Sequence, residues 1–153
     1  RSVISAYRII FDVPYEAGEL VAVAYGEDGK EAMRTSVKTA GKPYAIRLEA
    51  ERVEIAADGE DVCYVRAYVV DENDVVCPEA AESISFAAEG AGRICGTDNG
   101  DPRETVGYFN TTRTTLSGAC VAALISKKGE TGDLALTAKA DGLVSASVKI
   151  SVK

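Results

Sequence analysis

The sequence of 153 residues contains no histidine and no tryptophan. Without histidine, this chain cannot supply a Ser-His-Asp or Cys-His catalytic group or a histidine-ligated metal site. The lack of tryptophan removes the strongest aromatic platform for stacking on a sugar ring, although seven tyrosines remain. These two absences exclude several classes of enzyme and metalloprotein within this chain.

Long apolar runs and excess positive charge are also missing. No run approaches the roughly 18 apolar residues of a membrane-spanning helix, so no membrane partner is predicted. The 17 lysines and arginines are outnumbered by 24 aspartates and glutamates, giving a net charge of −7. Because nucleic-acid binding depends on neutralising phosphates, this balance argues against a nucleic-acid partner. No cofactor is predicted either.

The four cysteines, Cys63, Cys77, Cys95 and Cys120, form no Cys-x-x-Cys pair, and their spacing does not suit zinc. Two disulfides would have three possible connectivities, among which the sequence cannot choose. Cys63 and Cys120 fall in phase with apolar neighbours, which favours the alternative of buried free thiols.

Strand-type alternation runs through the chain, and no window has a helical period. Apolar and polar residues alternate in Val62–Asp71 and again on both sides of the turn Asp141-Gly142. Short strands at about ten-residue spacing, separated by turn residues, predict an all-β, antiparallel immunoglobulin-like sandwich. The remaining predicted strands are Ala6–Val13, Leu20–Tyr25, Glu31–Lys38, Ala45–Ala50, Ser83–Ala88, Arg93–Thr97, Thr105–Phe109, Thr111–Leu116 and Gly118–Ser126.

The likeliest domain boundary is Thr39–Pro43, where small residues, a glycine and a proline separate two strand patterns. Residues 43–153 carry enough strand patterns for a complete sandwich. Residues 1–42 carry three, too few for one, and Arg1 starts without a signal-peptide pattern. We therefore expect a piece of a longer polypeptide, with 1–42 as the closing strands of a preceding immunoglobulin-like domain.

The glycine-rich stretch Gly90–Pro102 organises the centre of the sequence. A short strand is predicted between Gly92 and Gly96, extending to Thr97. Asn99-Gly100 predicts a primed turn with Gly100 at positive φ, and Pro102 cannot continue a central strand. The stretch predicts no catalytic or ligand-binding chemistry. It predicts structural roles for Gly92, Gly96, Asn99, Gly100 and Pro102.

Two sets of residues are weak candidates for binding, and no residue is predicted to be catalytic. Tyr64, Arg66 and Tyr68 share the outward face of one strand, where the rings either stack on a sugar or, more commonly, pack against neighbouring strands or domains. Asp98 and Asp101 offer oxygen ligands to calcium, but acidic turns are usually only turns. No metal site is therefore predicted.

Several segments together resemble the region after the catalytic barrel of bacterial family 2 glycoside hydrolases, the β-galactosidase group. Phe11–Tyr25 is similar to the closing strands of an immunoglobulin-like domain there, and Lys38–Pro43 to the junction that follows. The segments that resemble the C-terminal β-sandwich domain are Ala57–Val62, Gly92–Gly96, Asn99–Pro102 and Gly118–Cys120.

The resemblance implies a non-catalytic accessory domain of a secreted or periplasmic bacterial enzyme of carbohydrate metabolism, with the parent's other domains as partners. It carries over no catalytic residue, because in that family two glutamates act on a (β/α)₈ barrel of about 250 residues. Two alternatives stay open: a carbohydrate-binding module of the same enzyme, and an invasin- or adhesin-type immunoglobulin-like repeat.

Overall fold

The computed structural model describes residues 2–5, as backbone, and residues 8–153. This part of the chain contains strands and no helix, which confirms the predicted all-β class, and no helix in it is long and apolar enough to cross a membrane. The strands are β1 (Ser2–Ser5), β2 (Arg8–Phe11), β3 (Glu19–Tyr25), β4 (Glu31–Lys38), β5 (Ala45–Ala50), β6 (Glu54–Ile55), β7 (Val62–Val70), β8 (Ser83–Gly90), β9 (Gly92–Asp98), β10 (Thr112–Thr114), β11 (Ala119–Ser126), β12 (Gly132–Lys139) and β13 (Ala146–Val152).

The chain divides into two units, Arg1–Thr39 and Ala40–Lys153. The first unit has two separate two-stranded antiparallel sheets, β1-β2 and β3-β4. The described residues of this unit therefore contain four strands where the sequence predicts three. Ala6 and Tyr7, the start of the predicted strand Ala6–Val13, lie outside the described residues.

The second unit is a β-sandwich. One sheet has five strands in the order β10-β8-β12-β13-β6, and the other has four in the order β5-β7-β11-β9. All neighbours are antiparallel except β6 and β13, which run parallel. The inner faces of both sheets supply one apolar core, so the fold is the predicted sandwich.

The predicted alternation on β7 sets its inner face. Cys63, Val65, Ala67 and Val69 are fully buried in the core together with Leu134 and Leu136 of β12. Burying a leucine side chain stabilises a fold by about 1.5–3 kcal/mol, so these rows hold the two sheets together. All four cysteines are free thiols, and three of them are buried.

The glycine-rich stretch forms β9, which confirms the predicted short strand Arg93–Thr97. In the structure β9 is an edge strand of the four-stranded sheet. At Gly92 an added Cβ would lie 2.5 Å from Leu134 Cδ2 and 2.7 Å from the Ile125 carbonyl oxygen. The inner layer therefore leaves no room for a side chain there. The pairing of β9 with β11 shifts register beside Cys95, which is the site of a β-bulge.

Three predictions around β9 and β10 are wrong. Residues Thr105–Phe109 form a loop rather than a strand, and Thr111–Leu116 contributes only the short β10. Asn99 does not have positive φ, so Asn99-Gly100 is not the centre of a primed turn, although Gly100 itself has φ 76°. The reason is topological: β9 and β10 belong to different sheets, so a hairpin does not join them.

Candidate functional site

The outer face of the four-stranded sheet carries the tyrosines that the sequence singles out. Tyr64, Arg66 and Tyr68 alternate on β7 with buried residues and so point away from the core. Tyr64 is 52% exposed, Arg66 is exposed and Tyr68 is half-buried. All three side chains of this row are accessible to a ligand to some degree.

Small side chains of β11 form a floor beside this row. Ala119 lies opposite Tyr68, Val121 opposite Arg66, and Ala123 opposite Tyr64. These side chains are short, so the surface dips along β11 between its two neighbours.

The far side of the dip is formed by the end of the glycine-rich stretch. Asp98 of β9 lies opposite Val121, and Asn99 follows it. The result is an open depression of about 310 Å³, which we call the outer groove. It is lined by Arg66, Tyr68, Asp98, Asn99, Ala119, Cys120 and Val121.

The two walls of the outer groove are held by contacts outside it. On one wall, the Arg47 guanidinium lies over the Tyr68 ring, 5.1 Å from its centroid. Arg47 is itself fixed by Asp74, whose carboxylate and carbonyl oxygens lie 2.9 Å and 3.0 Å from Nη1. One face of the Tyr68 ring is therefore occupied and its orientation restricted.

On the other wall, local hydrogen bonds fix Asp98 and Asn99. Asp98 Oδ1 accepts the backbone N–H groups of Asn99 at 2.7 Å and Gly100 at 3.1 Å. Asn99 Nδ2 donates to the Thr114 carbonyl at 2.9 Å. Within the described residues, Asp98 Oδ2 has no hydrogen-bond partner, so one carboxylate oxygen remains available to a ligand.

Asp101, the second calcium candidate, is engaged elsewhere. Both of its oxygens contact the Arg103 guanidinium at 3.0 Å, and Oδ1 also accepts the Arg103 N–H. The Arg103 side chain and N–H group hold the pKa of Asp101 below its ordinary value. In residues 2–5 and 8–153, no three His, Cys, Asp or Glu side chains come together to hold a metal ion.

The loop after Asn99 depends on a residue that the sequence analysis missed. Arg113, on β10, is only 1% exposed. Its guanidinium donates to the carbonyl oxygens of Thr97, Val106 and Gly107 at 2.9–3.0 Å, and Nε donates to Thr97 Oγ1 at 3.2 Å. Glu104 Oε2 lies 3.7 Å from Nη1. An arginine in a threonine-rich strand pattern gives no sequence signal of this role.

That loop displays two aromatic side chains outward. Phe109 is 89% exposed and Tyr108 is also largely exposed. The Tyr108 carbonyl accepts the Thr97 N–H at 2.7 Å, which attaches the loop to the free edge of β9. An added Cβ at Gly96 would lie 3.4 Å from that same carbonyl, and Pro102 is exposed in the first part of the loop.

Two of the buried thiols, Cys77 and Cys120, show no sign of nucleophilic activation. Burial raises the pKa of Cys120 to about 12, and burial also raises the pKa of Cys77. Both groups are therefore protonated at neutral pH, whereas a nucleophilic cysteine needs a depressed pKa.

Comparison with known proteins accounts for both units of the chain. The family model for glycoside hydrolase family 2 C-terminal domain 5 matches residues 46–149. The chain belongs to this family. A second model, a domain of unknown function (DUF4982), matches residues 2–33. The resemblance to family 2 glycoside hydrolases that the sequence shows, in the glycine-rich and junction segments among others, is thus confirmed.

The chain covers only 17% to 19% of the length of three similar proteins. Beta-galactosidase BoGH2A of Bacteroides ovatus is 36% identical over 146 residues, covering 95% of this chain and 17% of the enzyme. A glycosyl hydrolase family 2 member from Bacteroides cellulosilyticus superposes with a TM-score of 0.85 at 35% identity, covering 92% of this chain and 18% of that one. A beta-glycosidase from Bacteroides vulgatus gives 0.90 at 27% identity, with 97% and 19% coverage.

Proposed function

We propose that this chain is a non-catalytic accessory region that packs against and stabilises a larger glycoside hydrolase resembling a β-galactosidase. The observation that carries the proposal is the family match together with its extent. The chain spans only 17% of the β-galactosidase that it matches over 95% of its own length. This favours a hydrolase domain over the adhesin-type repeat.

The chemistry of the chain supports a non-catalytic role. Glycoside hydrolysis by the common mechanisms needs two carboxyl groups about 5–9.5 Å apart across the scissile bond. The outer groove is lined by one carboxylate, that of Asp98, which is opposed by the cation Arg66. The chain also has no histidine.

The first unit supports a parent that extends beyond this chain. Within the described residues its strands pair into two-stranded sheets, and most large apolar side chains of β2, β3, β4 and the β2–β3 loop are exposed. These exposed residues are Ile9, Ile10, Phe11, Val13, Tyr15, Leu20, Val21, Tyr25, Met33 and Val37. We infer that residues 1–42 complete a preceding immunoglobulin-like domain, whose other strands cover them. Secretion of the parent by a bacterium stays a prediction.

The test is deletion of this region from the full-length enzyme. We expect the unfolding temperature of the truncated enzyme to fall by about 5 °C or more, because apolar surface loses its cover. The purified 153-residue chain should not hydrolyse aryl β-galactosides. An unchanged unfolding temperature would contradict the stabilising role. Turnover by the chain that is abolished by replacing one of its own acids would contradict the non-catalytic one.

A further inference from the structure

We propose that the outer groove is a binding site for a neutral saccharide, held between Arg66 and Tyr68 of β7 and Asp98 of β9. The proposal goes beyond the packing role, since an accessory domain can dock through one surface and bind a ligand on another. It rests on the shape of the groove, on its uncommitted polar groups and on its aromatic wall.

The two walls of the outer groove belong to strands that are separated by one intervening strand. Arg66 and Asp98 both lie opposite Val121, on the two strands that flank β11. Two strand spacings separate them, about 10 Å between backbones. The side chains between them are small, so a flat ring can lie over β11 with one wall on each side.

The polar groups of the two walls are complementary to hydroxyl groups. The Arg66 guanidinium makes no hydrogen bond or ion pair within the described residues, and Asp98 Oδ2 accepts none there. A carboxylate accepts from sugar hydroxyls and a guanidinium donates to them, so opposite edges of one sugar ring can satisfy both. A cation and an anion that face each other without pairing favour a neutral, hydroxyl-rich ligand over an ionic one.

The aromatic wall suits the apolar face of a sugar. Tyr68 lines the groove, is half-buried and has the Arg47 guanidinium over its ring, while the exposed Tyr64 lies two residues along the same row, beyond the lining. Aromatic rings bury large apolar area and retain a hydroxyl for hydrogen bonding. Because Arg47, Asp98 and Asn99 are already fixed by their own contacts, little order has to be gained on binding.

A protein partner is the competing occupant and fits the groove less well. The cores of protein interfaces are depleted in charged residues and enriched in large apolar side chains. The centre of this face has alanine and valine side chains of β11 between an arginine and an aspartate. Association with a protein would desolvate both charges, which is costly unless the partner supplies an anion and a cation at the matching positions.

The experiment titrates the 153-residue chain, followed by its ¹H–¹⁵N NMR spectrum, with galactobiose, xylobiose and soluble β-galactan as separate probes. We expect saturation by at least one probe with a Kd of about 0.1–10 mM. The shifted backbone amides should be those of Arg66, Asp98 and Val121, and the five-stranded sheet should be unaffected.

Three variants assign the binding to the groove. Arg66→Ala removes the donor, Asp98→Asn keeps the Oδ1 acceptor for the loop N–H groups but neutralises the free oxygen, and Ala119→Trp fills the floor. Each should weaken binding about tenfold or more. Lys139→Ala, which removes an exposed cation from the other sheet, is the matched control and should bind as the wild type does.

Each outcome of these titrations either supports or overturns the proposed saccharide site. Failure of all three probes to saturate at about 50 mM overturns the proposal, as does saturable binding that Arg66→Ala and Ala119→Trp leave unchanged. If nothing binds and the same variants lower the unfolding temperature of the full-length enzyme, this face is a protein-packing surface. That last result would leave the proposed accessory function intact while removing the saccharide site.

Discussion

Two glycines with nearly the same backbone conformation differ in their surroundings. Gly100 has φ 76° and Gly118 has φ 74°. An added Cβ at Gly100 would meet nothing within 4 Å, whereas at Gly118 it would collide with the Cys77 carbonyl oxygen. The pair therefore separates the cost of a left-handed backbone from the cost of a steric clash.

We predict that Gly118→Ala destabilises the chain more than Gly100→Ala does. Left-handed backbone costs an alanine about 1 kcal/mol, which should be the whole effect at Gly100. At Gly118 the Cys77 backbone must also move, so we expect about 3 kcal/mol in total. Urea unfolding at neutral pH measures both. Equal urea midpoints for the two variants would show that the Cys77 backbone moves aside with no loss in the free energy of unfolding.

Asp71 is a buried carboxylate that connects two stretches of backbone. Its Oδ1 accepts the N–H groups of Asn73 at 2.8 Å and Val75 at 2.9 Å, and Oδ2 accepts the N–H of Gly41 at 2.7 Å. These hydrogen bonds, that from Gly41 first, lower the pKa of Asp71 from its ordinary value of 3.8. Only the ionised form can accept all three, so the carboxylate stabilises the fold above the unfolded-state pKa.

We predict that Asp71→Asn lowers the urea midpoint at pH 7, because an amide nitrogen would face the Gly41 N–H. The difference in urea midpoint between the variant and the wild type should narrow as pH falls from about 5 toward 3. The reason is that the wild-type carboxylate becomes protonated as the pH falls through its lowered pKa. Glu72→Gln, at an exposed neighbouring position, controls for the loss of one charge. A difference in urea midpoint that stays constant with pH would show that ionisation of Asp71 does not stabilise the fold.

At the scale of elements, the connection from β9 to β10 shows where sequence patterns fail. Thr105–Phe109 has the composition of a strand, yet its backbone is bound by the Arg113 guanidinium and the edge of β9. Strand propensity reports the fit of side chains to a pleated surface and contains no information about a distant buried cation. The loop could not have been predicted without knowing that Arg113 turns inward.

A primed turn does occur, but at another position. Ser117 and Gly118 both have positive φ, and Leu116 and Ala119 exchange backbone hydrogen bonds at 2.9 and 3.0 Å. This is the geometry of a two-residue hairpin turn, which Asn99-Gly100 fits better by residue preference. The turn is closed by the single residue pair Leu116–Ala119, because β10 and β11 belong to different sheets and do not continue a hairpin beyond it.

For the outer groove, the sequence predicts which way the wall residues point but does not predict which residues face each other. Alternation on β7 places Tyr64, Arg66 and Tyr68 on the outer face, and the turn signal at Asp98-Asn99 ends β9. Their juxtaposition needs the strand order β7-β11-β9, which is not sequential along the chain. Local pattern therefore sets which way a side chain points, and long-range pairing sets what it faces.

We predict that Arg113→Lys destabilises the second unit by about 3 kcal/mol. A lysine has one ammonium group where the guanidinium has a fork, so several of the carbonyl groups of Thr97, Val106 and Gly107 lose their donor while buried. Thermal unfolding measures the loss. Hydrogen exchange at the Thr97 amide, which is bonded to the loop, should accelerate at the same time.

Arg103→Met is the matched control for that experiment. Arg103 lies in the same loop and pairs with Asp101, but it is exposed to solvent. Surface ion pairs contribute little, so this variant should keep the wild-type stability and Thr97 protection. Equal effects of the two variants would show that the loop does not depend on the buried arginine.

At the scale of the whole molecule, the two units differ in how much they bury. The second unit has a continuous core between two sheets, whereas strands β2, β3 and β4 of the first are exposed along almost their whole length. The two units divide between Thr39 and Ala40, within the connector Thr39–Pro43, and the domain division at residues 42 and 43 stays a prediction. Ala40 packs against the core of the second unit, and Gly41 donates to Asp71, so both residues contribute to that unit.

We therefore predict that a fragment of residues 40–153 unfolds cooperatively, and that a fragment of residues 44–153 does so at a temperature lower by about 4 °C or more. The shorter fragment loses the Gly41–Asp71 hydrogen bond and exposes core that Ala40 covers, and in a domain of this size about 1 kcal/mol corresponds to that shift. Residues 1–39 alone should show no cooperative transition, because isolated two-stranded sheets are marginal in water. Calorimetry of the three fragments beside the full chain tests the division. Equal unfolding temperatures for the two longer fragments would move the boundary back to residue 43, and a cooperative transition in residues 1–39 would show that the first unit needs no further strands.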